Sequence, residues 1–285
     1  MGSEFCVTQN DINLYCECVG QGEPLLMIHG GGVDGHFFQE TAGMLSSCYQ
    51  VTVYDRRGYG RSQASEDGDC SVIVQSKDAL AVLERQGGKC SVVAHSLGCL
   101  IAMELAAEHP SAVKNLILHE PPVIEELYDE AELQENWDMM EAYVREDRIG
   151  KAVFQFLAMC GPRDERGRKQ TEEELEYADQ NIRNFLKNEL PILHYQPKYT
   201  QLAGIPIVIG VGEQKEGYWK IGKAFVGEIK LQTDSFSGRA QLPQRFAGRI
   251  CLPCDRDFKN NDTLCLQEHT RLMKSKFASC CITFN

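Results

Sequence analysis

Short apolar runs alternate with amphipathic stretches over the first two thirds of the chain. Apolar residues recur at three- and four-residue spacing in the stretches between the runs, which predicts helices at 37–47, 71–86 and 97–108. The runs themselves predict strands at 13–18, 24–29, 50–54, 90–94, 114–119 and 205–211. This alternation is typical of an α/β fold, in which a mostly parallel sheet is flanked by crossover helices.

The pattern changes to charged, helix-forming sequence between Pro121 and about Leu190. This change predicts a helical cap inserted into the α/β core, with its charged residues on a solvated outer face. Trp137, Met140 and Phe154 are then expected to face inward and contact a substrate. The predicted organisation is a core at 1–120, a cap at 121–198, a return to the core at 199–219 and an atypical tail at 220–285.

Composition narrows the class of protein. A chain of 285 residues that is 43% hydrophobic fits one large domain with an insertion. The formal charge of −12 argues against nucleic acid or an anionic membrane as a partner. The start of the chain lacks a signal pattern and no apolar run approaches a membrane span, so we expect a cytoplasmic protein whose thirteen cysteines are reduced.

The motif with the most chemical content is Ala94-His95-Ser96-Leu97-Gly98, which lies between a predicted strand and a predicted helix. A serine between small residues at such a turn is held in a strained conformation with its hydroxyl exposed, as a nucleophile requires. A second strand runs into the glycine-rich turn 29–32. Backbone N–H groups of a turn of this kind can face a developing oxyanion.

These two motifs, together with the glycine-bearing loop 55–62, agree in order and spacing with a known family. From about residue 5 to residue 219 the chain resembles the α/β-hydrolase superfamily, in its small single-domain serine hydrolase form with a helical cap. The resemblance implies that Ser96 is the nucleophile and that the N–H groups of Gly31 and Leu97 form the oxyanion hole. A histidine beside a glycine triplet usually satisfies a local hydrogen bond, so a structural role is expected for His29, and His95 and Gly32 are expected to support or line the substrate pocket.

A serine hydrolase also needs an acid that orients its histidine. Glu120 follows a predicted strand at a position where some members of the superfamily carry this acid. Other members carry the acid after a later strand, here the predicted strand 205–211. In this chain Lys215 stands where that aspartate is usual, and Glu213 is the alternative acid. A purely structural role for Glu120, at the entry to the cap, is the competing interpretation.

The general base is where the chain departs from the superfamily. His269 is the only histidine after position 194, and its surroundings are polar. Where the resemblance implies Phe-Pro-Gly-Gly-His, the chain has Phe-Ser-Gly-Arg-Ala at 236–240. Back-translation of this region, read one base later, permits the implied motif, so we interpret the tail from about residue 220 as the product of a frameshift. A naturally divergent tail is the alternative.

The sequence therefore predicts a hydrolase that acts on a small ester-like substrate through a Ser96 acyl-enzyme and is impaired by loss of the histidine loop. A catalytically silent member of the fold that binds a small ligand is the alternative. A nucleophilic serine argues against dehalogenase or epoxide-hydrolase chemistry, but it is compatible with thioester or lactone substrates. No cofactor or metal is expected, because Cys251-x-x-Cys254 has no second pair at suitable spacing.

Overall fold

The computed structural model describes residues 2–65, 68–122, 131–160, 172–212 and 279–283. These residues form an eight-stranded sheet with the strand order β1-β2-β4-β3-β5-β6-β7-β8. The strands are β1 (Ser3–Gln9), β2 (Ile12–Val19), β3 (Glu23–Ile28), β4 (Tyr49–Tyr54), β5 (Cys90–His95), β6 (Val113–His119), β7 (Ile207–Gly212) and β8 (Ser279–Thr283).

The centre of the sheet is parallel and its two sides are antiparallel. Strands β4, β3, β5, β6 and β7 pair with one another in parallel, in that order. Strands β1 and β2 add an antiparallel side, and β8 pairs antiparallel with β7. The mostly parallel sheet predicted from the sequence is confirmed, and the carboxyl ends of β3 to β7 meet at one edge, the carboxyl edge.

Three helices flank the core of the sheet: α1 (Gln39–Leu45), α2 (Val72–Arg85) and α3 (Gly98–Glu108). Helix α2 begins after Ser71, whose hydroxyl accepts a hydrogen bond from the N–H of Val74. Successive strand residues face opposite sides, so Leu26 and Ile28 pack with α2 and α3 in the large core, whereas Leu25 and Met27 pack with α1. Every residue of α3 from Gly98 to Ala107 is buried, which explains why this helix is apolar on all sides.

The first strand was not predicted from the sequence. Five of the seven residues of β1 are polar or exposed, and only Val7 is buried. It forms an outer strand paired on one side with β2, so it needs no continuous apolar face.

A helical segment lies between β6 and β7. Its described part, residues 131–160 and 172–202, is here called the inserted segment. It contains α4 (Ala131–Arg145), α5 (Ile149–Cys160) and α6 (Glu172–Asn184), followed by a π-helical turn at Phe185–Glu189 and short 3-10 turns. Among the helices that the structure describes, none combines the length and the apolarity that a bilayer crossing requires.

The hypothesis of a frameshift depends on residues 213–278, which lie outside the described residues. His269 and Glu213 fall in that range, so the predicted base and the alternative acid stay predictions. Beyond it, Ser279–Thr283 extends the sheet next to β7.

Candidate active site

Ser96 occupies the sharp turn between β5 and α3 at the carboxyl edge. Its φ is +50°, in the left-handed region that a serine rarely adopts. The strained turn is held at both ends, because the N–H of Ser96 donates to the carbonyl oxygen of His119 at 2.8 Å, and its own carbonyl oxygen accepts from Cys99 at 2.8 Å. The side chain of Ser96 is only half-buried.

Gly98 is required at this turn by the close approach of α3 to β3. A Cβ atom at position 98 would lie 2.5 Å from the carbonyl oxygen of Ile28 and 2.6 Å from that of His29. Backbone oxygens cannot move aside as flexible side chains can. A side chain at position 98 would therefore push the serine turn away from the glycine-rich turn.

The glycine-rich turn lies between Ser96 and the inserted segment. A Cβ atom at Gly30 would be 3.0 Å from the Cβ of Ser96. A Cβ atom at Gly31 would be 2.5 Å from the ring of Phe185, and one at Gly32, whose φ is +71°, would be 2.9 Å from the ring of Phe156. The absence of side chains thus lets the backbone contact the serine on one side and two aromatic rings on the other.

His29 holds this turn in place rather than facing a substrate. It is completely buried, and its Nδ1 lies 2.9 Å from the carbonyl oxygen of Gly30. The N–H of Arg56 donates to its Nε2 at 2.9 Å, so the ring is the neutral tautomer with its proton on Nδ1. Burial and the adjacent Arg56 guanidinium lower the pKa of His29 to about 3. These contacts agree with the structural role inferred from the sequence.

Two histidines and the predicted acid meet beside Ser96. His95 ends β5 and is paired in register with His119, which ends β6. Their Nδ1 atoms lie 2.9 Å apart. Phe37 stacks on the ring of His95 with centroids 4.5 Å apart and planes inclined by 12°. Glu120 follows directly, with a φ of +51°, and is half-buried. The three residues His95, His119 and Glu120 are here called the histidine cluster.

The inserted segment contributes aromatic rings, although not all of those expected from the sequence. Trp137 is half-buried and packs edge-on against Phe185, with centroids 6.5 Å apart, and Met140 is fully buried in the core. Phe154 is 74% exposed, so it does not line the site, and the expectation placed on it is corrected. Phe156, two positions later, packs against Phe185 with a centroid distance of 4.9 Å.

A buried ion pair fixes the inserted segment to the core. The guanidinium of Arg56 donates to both carboxylate oxygens of Glu189, at 2.6 and 3.0 Å, and both side chains are excluded from solvent. The side-chain amide of Gln75 and the hydroxyl of Tyr59 also donate to this carboxylate. Because Glu189 ends the π-helical turn that begins at Phe185, this network positions the ring over Gly31.

A second polar contact joins the inserted segment to the loop after β3. The amide of Asn181 donates to Asp34 at 2.8 Å and accepts from the N–H of Gly60 at 2.9 Å. His36 also contacts Asp34, at 3.0 Å. Burial acts to raise the pKa of Asp34, but the hydrogen bonds from these neighbours outweigh it and lower that pKa to about 2.

Comparison with known proteins agrees with this architecture. Residues 23–155 match the family model described as the alpha/beta hydrolase fold. The chain is 35% identical over 118 residues to the uncharacterized hydrolase YraK of Bacillus subtilis, covering 41% of this chain and 44% of that protein. It is 37% identical over 107 residues to the pimeloyl-[acyl-carrier protein] methyl ester esterase of Chromobacterium violaceum, covering 38% and 40% of the two chains.

The chain therefore spans about two fifths of the length of these curated relatives. A likeness over a longer stretch comes from a carboxylesterase crystal structure from Nitrososphaera gargenis. That match has a TM-score of 0.62 at 21% identity and covers 80% of this chain and 86% of the other. With its parallel sheet, its left-handed serine turn and these matches, the chain is identified as having the α/β-hydrolase fold.

Proposed function

We propose that the protein is a serine hydrolase of small ester-like substrates and that Ser96 is its nucleophile. The observation that carries this proposal is the φ of +50° at Ser96, at the carboxyl edge between β5 and α3. A strained, half-exposed serine directly after a central strand is the arrangement by which this fold presents a hydroxyl to substrate.

The N–H groups of Gly31 and Leu97 are proposed to stabilise the oxyanion. Leu97 follows the serine and precedes the first turn of α3, where N–H groups without helical partners favour negative charge. Gly31 follows Gly30 in the glycine-rich turn. A Cβ atom at Gly30 would lie 3.0 Å from the Cβ of Ser96, so the turn lies close to the serine. Both donors are backbone groups held by buried surroundings, so they need no rearrangement when charge develops.

Hydrolysis then proceeds in two steps. An imidazole removes the proton from Ser96 Oγ as the oxygen attacks the ester carbonyl, and the tetrahedral intermediate collapses to an acyl-enzyme while the alcohol leaves with that proton. Water, deprotonated by the same imidazole, attacks the acyl carbon and releases the acid. We assign the orienting carboxylate to Glu120, with Glu213 as the alternative, and the imidazole to His269.

The proposal includes impairment of this chain. Outside the described residues, the tail offers His269 in a polar sequence in place of the glycine-rich histidine loop that the superfamily resemblance implies. Unless His269 reaches Ser96, the chain has no base, and it then keeps the contribution of its oxyanion donors and of substrate binding but loses most of the acceleration.

The rings around the glycine turn favour an apolar substrate group. Phe156 and Phe185 contact Gly32 and Gly31, and Trp137 packs against Phe185. The Chromobacterium violaceum relative is named as a methyl ester esterase, which supports an ester rather than an amide. The same rings also support the alternative of a silent member that binds a small apolar ligand.

The test compares wild type, Ser96→Ala and a control, Ser47→Ala, on p-nitrophenyl butyrate. Ser47 is exposed and precedes β4, at the opposite edge of the sheet. We expect slow hydrolysis by wild type and by the control, at least about 10³-fold below that of an intact triad, and none above background by Ser96→Ala.

A fluorophosphonate probe provides an independent readout, because it labels an activated serine covalently. Loss of labelling in Ser96→Ala supports the assignment of Ser96 as the nucleophile, whereas equal labelling of wild type and Ser96→Ala overturns that assignment. Fast turnover that depends on Ser96 contradicts the proposed impairment but leaves Ser96 as the nucleophile. Binding of p-nitrophenyl butyrate without any turnover or labelling supports the alternative of a catalytically silent protein that binds a small apolar ligand.

A further inference from the structure

The histidine cluster brings together three donor groups of the kind that bind transition metals. His95 and His119 end neighbouring parallel strands in register, and Glu120 is the next residue along the chain. One ring nitrogen from each histidine and one carboxylate oxygen all lie within 4.8 Å of one another. All three residues are half-buried, so the group is open to an ion from solvent but partly shielded from competing water.

The separations are close to those of a tetrahedral zinc site. Zinc binds imidazole nitrogen and carboxylate oxygen at about 2.0–2.1 Å, which places neighbouring ligand atoms about 3.3 Å apart. The two Nδ1 atoms are 2.9 Å apart, so they need to separate by only about 0.4 Å. A carboxylate oxygen of Glu120 lies within 4.8 Å of one ring nitrogen of each histidine, so it has to approach those nitrogens by at most about 1.5 Å, within the range of a side-chain rotation.

We propose that His95, His119 and Glu120 form a binding site for a divalent transition-metal ion, of which Zn²⁺ is the expected occupant. Imidazole donors favour Zn²⁺ and its neighbours over Mg²⁺ and Ca²⁺, which prefer oxygen ligands. The contact between the two Nδ1 atoms requires a proton on one of them. The ion replaces that proton, which moves to Nε2 of the same ring, so both nitrogens present lone pairs to the metal.

The surroundings hold the two rings in position for this role. The backbone of each histidine is fixed by strand pairing, and the ring of Phe37 stacks on His95 at 4.5 Å. The carbonyl oxygen of His119 also accepts from Ser96, which ties the cluster to the serine turn. Pre-positioned ligands lose little freedom on binding, which favours affinity.

An ion at this site has a consequence for hydrolysis that rests on the proposed function. It would occupy Glu120, the proposed orienting acid, and His95, the proposed pocket residue. Bound Zn²⁺ is therefore expected to inhibit the esterase rather than to serve it. The binding test below uses no substrate, so it is decided even if the protein does not hydrolyse esters.

The test titrates the full chain with Co²⁺, a spectroscopic substitute for Zn²⁺, and follows visible d–d absorption. Wild type is expected to bind one ion with a spectrum of nitrogen and oxygen ligands. His119→Gln and Glu120→Gln should each weaken this binding at least about tenfold. The control is His194→Gln, because His194 and Glu141 form an exposed histidine–carboxylate pair at 2.9 Å to which no other described residue adds a third metal-binding group.

Co²⁺ can also bind to the thirteen cysteines of the chain, and cobalt thiolates are recognised by their intense charge-transfer absorption. A spectrum that contains only this absorption overturns the proposal, and so does equal binding by wild type and both cluster variants. Circular dichroism verifies that the variants fold. If His119→Gln does not fold, Glu120→Gln decides the question, because unchanged affinity in that variant excludes the three-residue site.

Discussion

Two neighbouring arginines on one loop have different structural roles. Arg56 and Arg57 are both buried, and each forms two hydrogen bonds with a single carboxylate. The partner of Arg57 is Asp78 in α2, 21 residues away in the sequence. The partner of Arg56 is Glu189, 133 residues away in the inserted segment. Arg57 therefore holds the loop against helix α2, whereas Arg56 holds the inserted segment against the core.

The difference shows how a local loop can determine the geometry of a distant site. Glu189 and Phe185 belong to the same π-helical turn, so the ion pair with Arg56 also fixes the position of the Phe185 ring over Gly31. The pair of Arg57 and Asp78 has no contact of this kind in the described residues. Breaking either pair should cost stability, but only the first should disturb the aromatic surface beside Ser96.

Removal of the Glu189 carboxylate is expected to have the largest effect. Glu189→Ala leaves the guanidinium of Arg56 buried without its counter-ion, and the free energy of unfolding should fall by about 3–5 kcal/mol. Urea denaturation measures this loss. Glu146→Ala is the control, because Glu146 forms an exposed pair with Arg148 in the same segment, and its effect should stay within about 0.5 kcal/mol.

Tryptophan fluorescence separates loss of stability from loss of position. In a Trp219→Phe background, Trp137 is the remaining tryptophan, and it packs against Phe185. Glu189→Ala should shift its emission to longer wavelength in native buffer. A folded variant with unchanged emission and less than about 1 kcal/mol of destabilisation contradicts the anchoring role of the Arg56 pair.

Asp78→Ala is expected to destabilise less than Glu189→Ala, by about 2–3 kcal/mol. In the described residues Asp78 accepts hydrogen bonds from Arg57, whereas Glu189 accepts from Arg56, Gln75 and Tyr59, so loss of the Asp78 carboxylate leaves fewer buried donors without their acceptor. The same urea titration gives the value. The emission of Trp137 should not change in this variant, and a shift equal to that of Glu189→Ala would remove the distinction between the two arginines.

Tyr59→Phe sharpens the comparison by removing a single donor from Glu189. The phenylalanine ring can still pack against the guanidinium of Arg56, which lies 4.4 Å from the centroid of Tyr59. Only the hydroxyl that donates to the carboxylate is lost, so a decrease of about 1.5 kcal/mol in unfolding free energy is expected. A double variant with Glu189→Ala should show no further loss from the Tyr59 change.

The smallest expected effect concerns pH and the second contact of the inserted segment. The hydrogen bond to Asp34 raises the pKa of His36 above its ordinary 6.5. The protonated form therefore favours the folded state, and its contribution is complete below about pH 6.5 and is lost as pH rises through the raised pKa.

His36→Gln should flatten this dependence between about pH 6 and about pH 9, by less than about 1 kcal/mol. Urea midpoints of both proteins across that range provide the measurement, with His194→Gln as the control. Parallel curves for wild type and His36→Gln would show that Asp34 does not raise the pKa of His36 in solution.

Local features of the fold could be predicted closely from the sequence. The strands that lead to the site, β3, β5 and β6, were predicted to within a residue, because buried parallel strands are continuous apolar runs. The left-handed turn at Ser96 also follows from its neighbours, since only small residues such as Gly98 allow α3 to pass β3 at this distance.

Features that depend on distant contacts could not be predicted. Phe154 and Phe156 lie about 200° apart around α5, so both cannot face the core, and only the docking of the helix decides between them. Glu189 appears in the sequence as one acidic residue among many, and its burial depends on Arg56 far away. His119 had a usable signal, because it precedes the predicted acid at the end of a strand next to that of His95.

The close contact between Gly31 and Phe185 means that an aromatic side chain, rather than the main chain, restricts the space above this part of the turn. Replacing that ring with a smaller apolar group would enlarge the space above Gly31 without altering any backbone amide. Under the proposed function, variants at position 185 are expected to change the range of accepted esters while leaving Ser96 and the proposed oxyanion donors in place.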